Sequence, residues 1–259
     1  MITAGIDIGS TTTKAVVLKA DDQFVYALQP TGIEISSVSR QVLAEACENA
    51  GLQPEDLDRI VATGYGRISI PFATTTITEI TCNAYGVHYL FPNASLVVDI
   101  GGQDSKVIKF DKNGRVVQFA MNDKCAAGTG KFLEVAAQTL GVPVSEMGDI
   151  SQQSQNKVSI SSTCTVFAQT EIVSLIARQT NKEDIAAGLH ESIVSRVFGL
   201  ISSVNPDPQA EVVLTGGVAK NVAIVNLLER MLGRKISVPE DPQIVTALGA
   251  ALLARQWES

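Results

Sequence analysis

The strongest constraint on this chain is a short turn, made of an acid and glycines, that occurs twice at a constant spacing. An apolar run ends at Asp99, is followed by Gly101 and Gly102, and gives way to a second apolar run. This pattern predicts a strand, a tight turn and a second strand. Three pairs of positions are each 92 residues apart: Asp7 and Asp99, Gly9 and Gly101, and Lys14 and Lys106. A unit repeated at one offset predicts two related halves, although two ordinary hairpins would look similar.

Both turns have the composition of a phosphate-binding loop. Glycine adds no side chain, so backbone amides at such a turn can closely approach a bulky anion. The acid at the strand end, Asp7 or Asp99, could hold the divalent cation of a nucleotide through water. The candidate phosphate-binding residues are Gly9, Ser10, Thr11, Thr12, Thr13, Lys14, Gly101, Gly102 and the adjoining Gln103.

A third glycine turn follows a predicted strand near the C-terminus and opens a predicted helix. Its candidate ligand-binding residues are Gly216, Gly217, Val218 and Lys220. The glycines would let the backbone lie against a base or ribose, and the helix N-terminus favours phosphate. A plain connection between a strand and a helix is the alternative interpretation.

Strands and helices alternate along the sequence, which predicts the α/β class. The predicted division is a first domain over 1–93, a second over 94–243 and a final helix within 244–259 that packs back on the first domain. Among the individual elements we predict a helix over 74–89, a polar loop over 148–157 and a short strand over 158–161.

Composition argues against two classes of function. The formal net charge is −7 and the pI is near 4.9, whereas a nucleic-acid-binding protein needs a basic face. No apolar run is long enough to span a bilayer, and the N-terminus enters a strand without signal-peptide features. We therefore expect a cytoplasmic protein that binds neither nucleic acid nor membrane.

The four cysteines divide into two groups. Cys47 and Cys82 fall in the apolar pattern of predicted helices, where packing explains them. Cys125 and Cys164 each follow a predicted strand and precede a predicted helix, whose N-terminus favours a thiolate. Two thiolates per chain could supply half of a four-thiolate iron–sulfur cluster shared across a two-fold axis. Alternatively, they are two unrelated buried thiols.

The glycine turns resemble, in the right order, the phosphate-1, phosphate-2 and adenosine motifs of the actin/Hsp70/sugar-kinase superfamily: Asp7–Thr11, Asp99–Asp104 and Thr215–Ala219. Three further segments are similar to the ATP-dependent activator component of 2-hydroxyglutaryl-CoA dehydratase and to benzoyl-CoA reductase ATPase subunits: residues 62–67, 122–130 and 161–168. This resemblance covers essentially the whole chain. It implies two ribonuclease-H-like domains of the actin/Hsp70 type with a nucleotide cleft between them.

The resemblance to the activator family also implies cofactors and partners. It implies a homodimer with one [4Fe-4S] cluster, held by Cys125 and Cys164 of both subunits. It further implies ATP-driven transfer of one electron to a 2-hydroxyacyl-CoA dehydratase or related reductase, with ferredoxin or flavodoxin as the electron donor. Asp7 and Asp99 would hold Mg²⁺ and its waters.

Members of the superfamily often place a Glu or Gln ahead of the second phosphate turn to orient the attacking water. Glu79 lies in the predicted helix 20 residues before Asp99 and takes this role by resemblance. Gln103 and Asp104 are the other candidates, and a plain helix-surface carboxylate is the alternative interpretation of Glu79.

Two other functions fit the same nucleotide motifs. A small sugar kinase of the superfamily would need a base beside a sugar pocket and would contain no iron. A nucleotide-dependent regulator or scaffold would bind ATP without turnover and would not need Cys125 or Cys164.

Overall fold

The computed structural model describes residues 1–156, 158–160 and 165–256. The described strands are β1 (Thr3–Ile8), β2 (Thr12–Leu18), β3 (Phe24–Pro30), β4 (Arg59–Gly64), β5 (Thr75–Thr76), β6 (Ala94–Ile100), β7 (Ser105–Phe110), β8 (Val116–Asn122), β9 (Glu211–Thr215) and β10 (Ile236–Ser237). The described α-helices are α1 (Ile35–Ala50), α2 (Glu79–Leu90), α3 (Gly130–Leu140), α4 (Met147–Gln152), α5 (Thr165–Ala177), α6 (Lys182–Ser203), α7 (Val222–Leu232) and α8 (Val245–Gln256). No described helix is long and apolar enough to cross a membrane.

The first sheet has the strand order β3-β2-β1-β4-β5. Strands β1, β2 and β3 pair antiparallel, whereas β4 pairs parallel with β1 and β5 pairs parallel with β4. Alternate residues of β2 face opposite sides: Ala15 and Val17 pack in the cluster with α1, while Val16 and Leu18 pack in the cluster with α8. Helices on both faces explain why β1 and β2 are almost continuously buried.

The second sheet has the strand order β10-β9-β6-β7-β8, with β9 and β10 parallel. Leu96, Val97 and Val98 of β6 are buried. Helix α6 supplies a buried stripe that includes Ile185 and Leu189, and it contacts α4 and α7. The two sheets and their flanking helices confirm the predicted α/β class.

The chain divides into two compact units. Unit 1 comprises Met1–Val97, Ile108–Gln118 and the described part of Pro239–Ser259, and unit 2 comprises Val98–Val107 and Phe119–Val238. Neither unit is a single run of sequence, because unit 1 combines the N-terminal stretch with 108–118 and with the C-terminal helix. The return of 108–118 to unit 1 has a local cause, since the His88 ring packs edge-on against Phe110 at 6.4 Å between centroids.

Three predictions differ from the structure, the first only in where the helix predicted over 74–89 begins. Helix α2 begins at Glu79, because Thr75–Thr76 pairs with β4 and the Thr78 hydroxyl caps the helix by accepting a hydrogen bond from Thr81 N. The predicted loop over 148–157 contains α4, which buries Met147 and Ile150. Within the strand predicted over 158–161, residues 158–160 do not form a strand, and Ser161 lies outside the described residues.

Helices α2 and α8 approach so closely that their backbones touch. A Cβ added at Gly249 would lie 1.8 Å from Cys82 O and 2.8 Å from Gly86 N. We expect Gly249→Ala to lower the free energy of unfolding by about 1–3 kcal/mol, because two helix backbones must separate. Urea unfolding measures the change.

Gly199 in α6 is the matched control, because a Cβ there would meet nothing within 4 Å. Gly199→Ala should stabilise the protein by about 0.5–1 kcal/mol through helix propensity. Equal effects of the two substitutions would contradict the close contact of α2 and α8.

Candidate functional site

The first acid-glycine turn joins β1 to β2 in unit 1. Asp7 and Lys14 are partners across these antiparallel strands, and Lys14 Nζ lies 3.0 Å from Asp7 Oδ2. Both residues are buried, so each charge depends on the other for compensation. The pair places a carboxylate and an ammonium group together at the end of the strands.

A threonine that we did not predict supports this turn. Gly9 N donates to Thr12 O at 3.1 Å, and Thr31 Oγ1 donates to Gly9 O at 2.7 Å. Thr31 Oγ1 also lies 3.0 Å from Thr13 Oγ1. The Thr13 hydroxyl is therefore already hydrogen-bonded to Thr31, whereas Thr11 at the tip of the turn is exposed. Thr31 follows β3 in sequence, and no local signal connects it to the turn.

The second acid-glycine turn joins β6 to β7 and repeats the ion pair of the first. Lys106 Nζ lies 3.5 Å from Asp99 Oδ2 and 2.7 Å from Asp104 Oδ2, and all three side chains are buried. Thr215 Oγ1 at the end of β9 donates to the other oxygen of Asp99 at 2.9 Å. Lys106 and Thr215 were absent from the predicted site, although the 92-residue repeat pairs Lys106 with Lys14.

The candidates for positioning water differ in environment. The Asp104 carboxylate is buried and ion-paired with Lys106, while Gln103 is exposed. Glu79 belongs to unit 1, at the first turn of α2, where its carboxylate lies 3.5 Å from Arg67 Nη1. Asp104 is therefore held in a short, buried ion pair, whereas Glu79 has a longer contact with Arg67 and Gln103 is exposed.

The third glycine turn packs directly against the end of β6. Gly216 has a φ of +86°, and a Cβ there would lie 2.4 Å from Ile100 O and 2.9 Å from Asp99 Oδ1. The turn continues as a short 3-10 helix over Gly217–Lys220, in which Val218 is buried and Lys220 is exposed. The predicted adenosine motif and Asp99 therefore form one continuous site in unit 2.

Asn221 ties this turn to the interior of unit 2. Its Oδ1 accepts hydrogen bonds from Ala223 N and Ile224 N and so caps α7. Its Nδ2 lies 2.9 Å from His190 Nε2, so the imidazole accepts this hydrogen bond and is neutral. Burial lowers the pKa of His190 to about 4.

Cys125 lies in the loop between β8 and α3, and its side chain is partly buried. Asn122 Nδ2 donates to Cys125 O at 2.9 Å and to Ala127 O at 3.1 Å, which fixes the loop. Cys125 follows a strand and precedes a helix, as predicted, but it is separated from the first turn of that helix. Helix α3 begins only at Gly130, because Gly128 with a φ of +93° interrupts a helical path.

Three hydrogen bonds connect the second phosphate turn to the loop of Cys125. Gly130 N donates to Gly101 O and Lys131 N donates to Gly102 O, each at 2.8 Å. Ser105 Oγ, at the start of β7, donates to Gly128 O at 2.6 Å. The first turn of α3 is therefore attached to the turn that we predict to bind phosphate.

Two of the other cysteines lie within helices α1 and α2. Cys47 and Cys82 are buried, and burial raises their pKa values to about 11 and about 12. Cys164 lies outside the described residues, as do Ser161, Ser162 and Thr163. Within the described residues, no group of three or more His, Cys, Asp or Glu could hold a metal ion. A cluster would need thiolates beyond this part of one chain.

Comparison with known proteins identifies the class. Residues 4–254 match the model of the BadF/BadG/BcrA/BcrD ATPase family, so the chain belongs to this family. The structure has the actin-like ATPase fold, as predicted.

Individual relatives agree with this assignment. The 2-hydroxyisocaproyl-CoA dehydratase activator of Clostridioides difficile is 46% identical over 254 residues, covering 98% of this chain and 95% of the relative. The (R)-2-hydroxyglutaryl-CoA dehydratase activating ATPase of Acidaminococcus fermentans is 45% identical over 254 residues, covering 97% and 96%. The solved structure of the activator of the 2-hydroxyisocaproyl-CoA dehydratase from Clostridium difficile, with bound ADPNP, matches with a TM-score of 0.91. It is 44% identical, covering 100% of this chain and 99% of that one.

The neutral, buried His190 makes stability depend on pH. Its folded-state pKa of about 4 is below the ordinary value of 6.5, so the unfolded chain binds the proton first as pH falls. Its contribution to stability should be complete above pH 6.5 and decline between pH 6.5 and 4. Urea unfolding at pH 7 and pH 5 should show a smaller decline for His190→Gln, which keeps a hydrogen-bond acceptor without this titration.

Ser195→Ala is the matched control, because Ser195 is an exposed residue of the same helix and its loss leaves His190 and Asn221 in place. It should lose as much stability on acidification as the unmodified protein. If His190→Gln also lost as much, then a buried neutral His190 would be contradicted.

Proposed function

We propose that this protein is an ATP-hydrolysing activator that delivers single electrons to a 2-hydroxyacyl-CoA dehydratase or a related reductase. Membership of the ATPase family and the names of its relatives support this proposal. The observation that carries it in the structure is the set of hydrogen bonds between the Gly101–Gly102 turn and the start of α3. These bonds link a phosphate-binding turn to the loop of a candidate cluster cysteine.

The two acid-glycine turns would bind the phosphates of ATP, with Asp7 and Asp99 holding Mg²⁺ through water. Each carboxylate already has a lysine partner, so the site carries both the anionic groups for a cation and the cations for phosphate. In hydrolysis, a water oxygen attacks the γ-phosphorus and the bond to the bridging oxygen of ADP breaks. The water proton ends on the product phosphate.

Cys125 is suited to be one cluster ligand. It is partly exposed, in contrast to Cys47 and Cys82, and Asn122 holds its backbone. A [4Fe-4S] cluster bound by Cys125 and Cys164 of two subunits would accept and donate one electron. Ferredoxin or flavodoxin would be the reductant in a cytoplasmic homodimer, and the dehydratase or reductase would be the electron acceptor.

The connection through α3 gives the nucleotide a route to the cysteine loop. The two carbonyls of the Gly101–Gly102 turn accept from the first amides of α3, and Ser105 holds Gly128. A shift of this turn on phosphate binding would therefore pull on the segment that follows Cys125. Coupling of this kind is reciprocal, so an event at the cysteine loop would change nucleotide affinity.

The alternatives of a sugar kinase and of a regulator without turnover have less support. The chain is 45–46% identical to relatives named as dehydratase activators, one of them an activating ATPase. We therefore favour the activator, for which iron content is the deciding measurement.

We predict that protein purified without oxygen contains about four irons and matching sulfide per homodimer. Cys125→Ser should remove most of this iron while the protein stays folded and binds ATP, because a cluster ligand is lost but the phosphate turns remain. Iron and acid-labile sulfide analysis, with mass in solution, tests both statements.

Cys47→Ala is the matched control. Because Cys47 is buried in the core, the variant protein should keep its iron content. A folded, ATP-binding protein without iron after reconstitution would reject the activator and favour the kinase or the regulator. Iron retained by Cys125→Ser would reject Cys125 as a ligand.

We also predict that a non-hydrolysable ATP analogue changes the alkylation rate of Cys125 about fivefold or more in chelator-treated protein. Trypsin releases Cys125 alone in the peptide 125–131, so mass spectrometry reports this thiol separately. Ser105→Ala removes the hydrogen bond to Gly128 and should bring the ratio close to one without abolishing nucleotide binding.

Ser202→Ala is the control, since it removes a comparable hydrogen bond from an exposed helical serine to Phe198 O. It should leave the ratio unchanged. An undiminished ratio in Ser105→Ala would show that coupling does not pass through this bond.

A further inference from the structure

The turn after β4 has no role in the function proposed above. It contains Gly64 and Arg67, and it wraps around the end of β1. Gly64 has a φ of +83°, and a Cβ there would lie 2.5 Å from both Asp7 Oδ1 and Ile8 O. Only glycine therefore allows this turn to lie against Asp7, which places the turn beside the first phosphate-binding site.

Arg67 connects the turn to α2. Its Nη1 donates to Gly64 O at 3.0 Å and lies 3.5 Å from Glu79 Oε2. The Glu79 side chain is 16% exposed and the Arg67 side chain 31%. Because the pair is sheltered from bulk water, its attraction is screened less than that of a surface pair.

The contact uses only one oxygen of the carboxylate. Glu79 Oε1 has no hydrogen-bond partner within the part of the chain that the structure describes. Glu79 is the first residue of α2, which Thr78 caps, so its backbone position is fixed as well. Oε1 remains a hydrogen-bond acceptor, and the contact of Oε2 with Arg67 sets the orientation of the whole carboxylate.

Cys82, one turn further along α2, shows that these groups share one neighbourhood. Burial raises the pKa of its thiol, and the Thr63 hydroxyl and the charges of Asp7, Glu79 and Arg67 also act on that pKa. Thr63 is itself the partner of Asp7 across the parallel strands β1 and β4. Glu79 and Asp7 therefore belong to the same polar cluster at the end of the first sheet.

We propose that Arg67 is a positioning residue for ATP hydrolysis, holding Glu79 Oε2 so that Oε1 accepts a hydrogen bond from the attacking water. This inference rests on the ATPase activity proposed above. The water attacks the γ-phosphorus as ADP departs, and its proton passes to the product phosphate. In this proposal Arg67 acts on the attacking water only through Glu79, so its loss should change the rate and not the affinity for ATP.

The test compares Arg67→Met, Glu79→Gln and the double substitution by steady-state ATPase kinetics and ATP-binding measurements. Arg67→Met should lower kcat about 10- to 100-fold, because a misdirected carboxylate loses its alignment, while the Kd for ATP changes less than about threefold. The double variant should be no slower than Glu79→Gln alone, because Arg67 acts only through Glu79. Arg67→Lys should recover part of the rate by restoring a cation beside Glu79.

Arg40→Met is the matched control, because it removes an arginine that lies over the Phe72 ring and does not pair with Glu79, so kcat should stay unchanged. Circular dichroism checks the fold; if Arg67→Met does not fold, Arg67→Lys and Glu79→Gln decide. Unchanged kcat in Arg67→Met, multiplying effects in the double variant, or normal ATPase activity in Glu79→Gln would overturn the inference and leave the ATPase proposal intact. Absence of ATPase activity in the unmodified protein would instead reject the proposed function.

Discussion

A buried lysine beside a buried carboxylate is the interaction on which both phosphate turns depend. Removing a charge from water costs several kcal/mol per ion, so Asp7 and Asp99 can lie at buried strand ends only with a lysine in place. In the first turn this requires one strand register, since Asp7 and Lys14 are direct partners. A slip of one residue would turn the lysine to the opposite face of the sheet.

The same pairs explain why the turns suit a magnesium nucleotide. A carboxylate at the strand end attracts the cation, and the lysine attracts phosphate, so binding replaces one set of charge partners by another. Thr215 adds a hydrogen bond to Asp99 from a neighbouring strand, and Gly216 leaves space for the close approach. The second site thus depends on β6, β7 and β9 being adjacent, which only the folded sheet provides.

Whether a feature could be predicted depends on how far apart in the sequence the residues that form it are. The repeated turns, the glycines and most helices are local patterns, and the sequence identified them. The hydrogen bonds of Thr31, Thr215 and Ser105 escaped prediction because they join residues far apart in sequence. Helix α4 escaped because a short polar helix with two buried apolar residues resembles a loop.

The contacts between the second turn and α3 restrict which substitutions can alter them. Gly101 and Gly102 use their carbonyls for α3, and Gly101 N donates to Asp104 O across the turn, so the hydrogen bonds that hold this turn are made by backbone groups. Backbone groups cannot be removed by changing a side chain. Ser105 is the exception, as a side chain that joins the same turn to the cysteine loop. The coupling that we propose between nucleotide and cysteine could therefore be adjusted at Ser105 while the backbone of the turn stays constant.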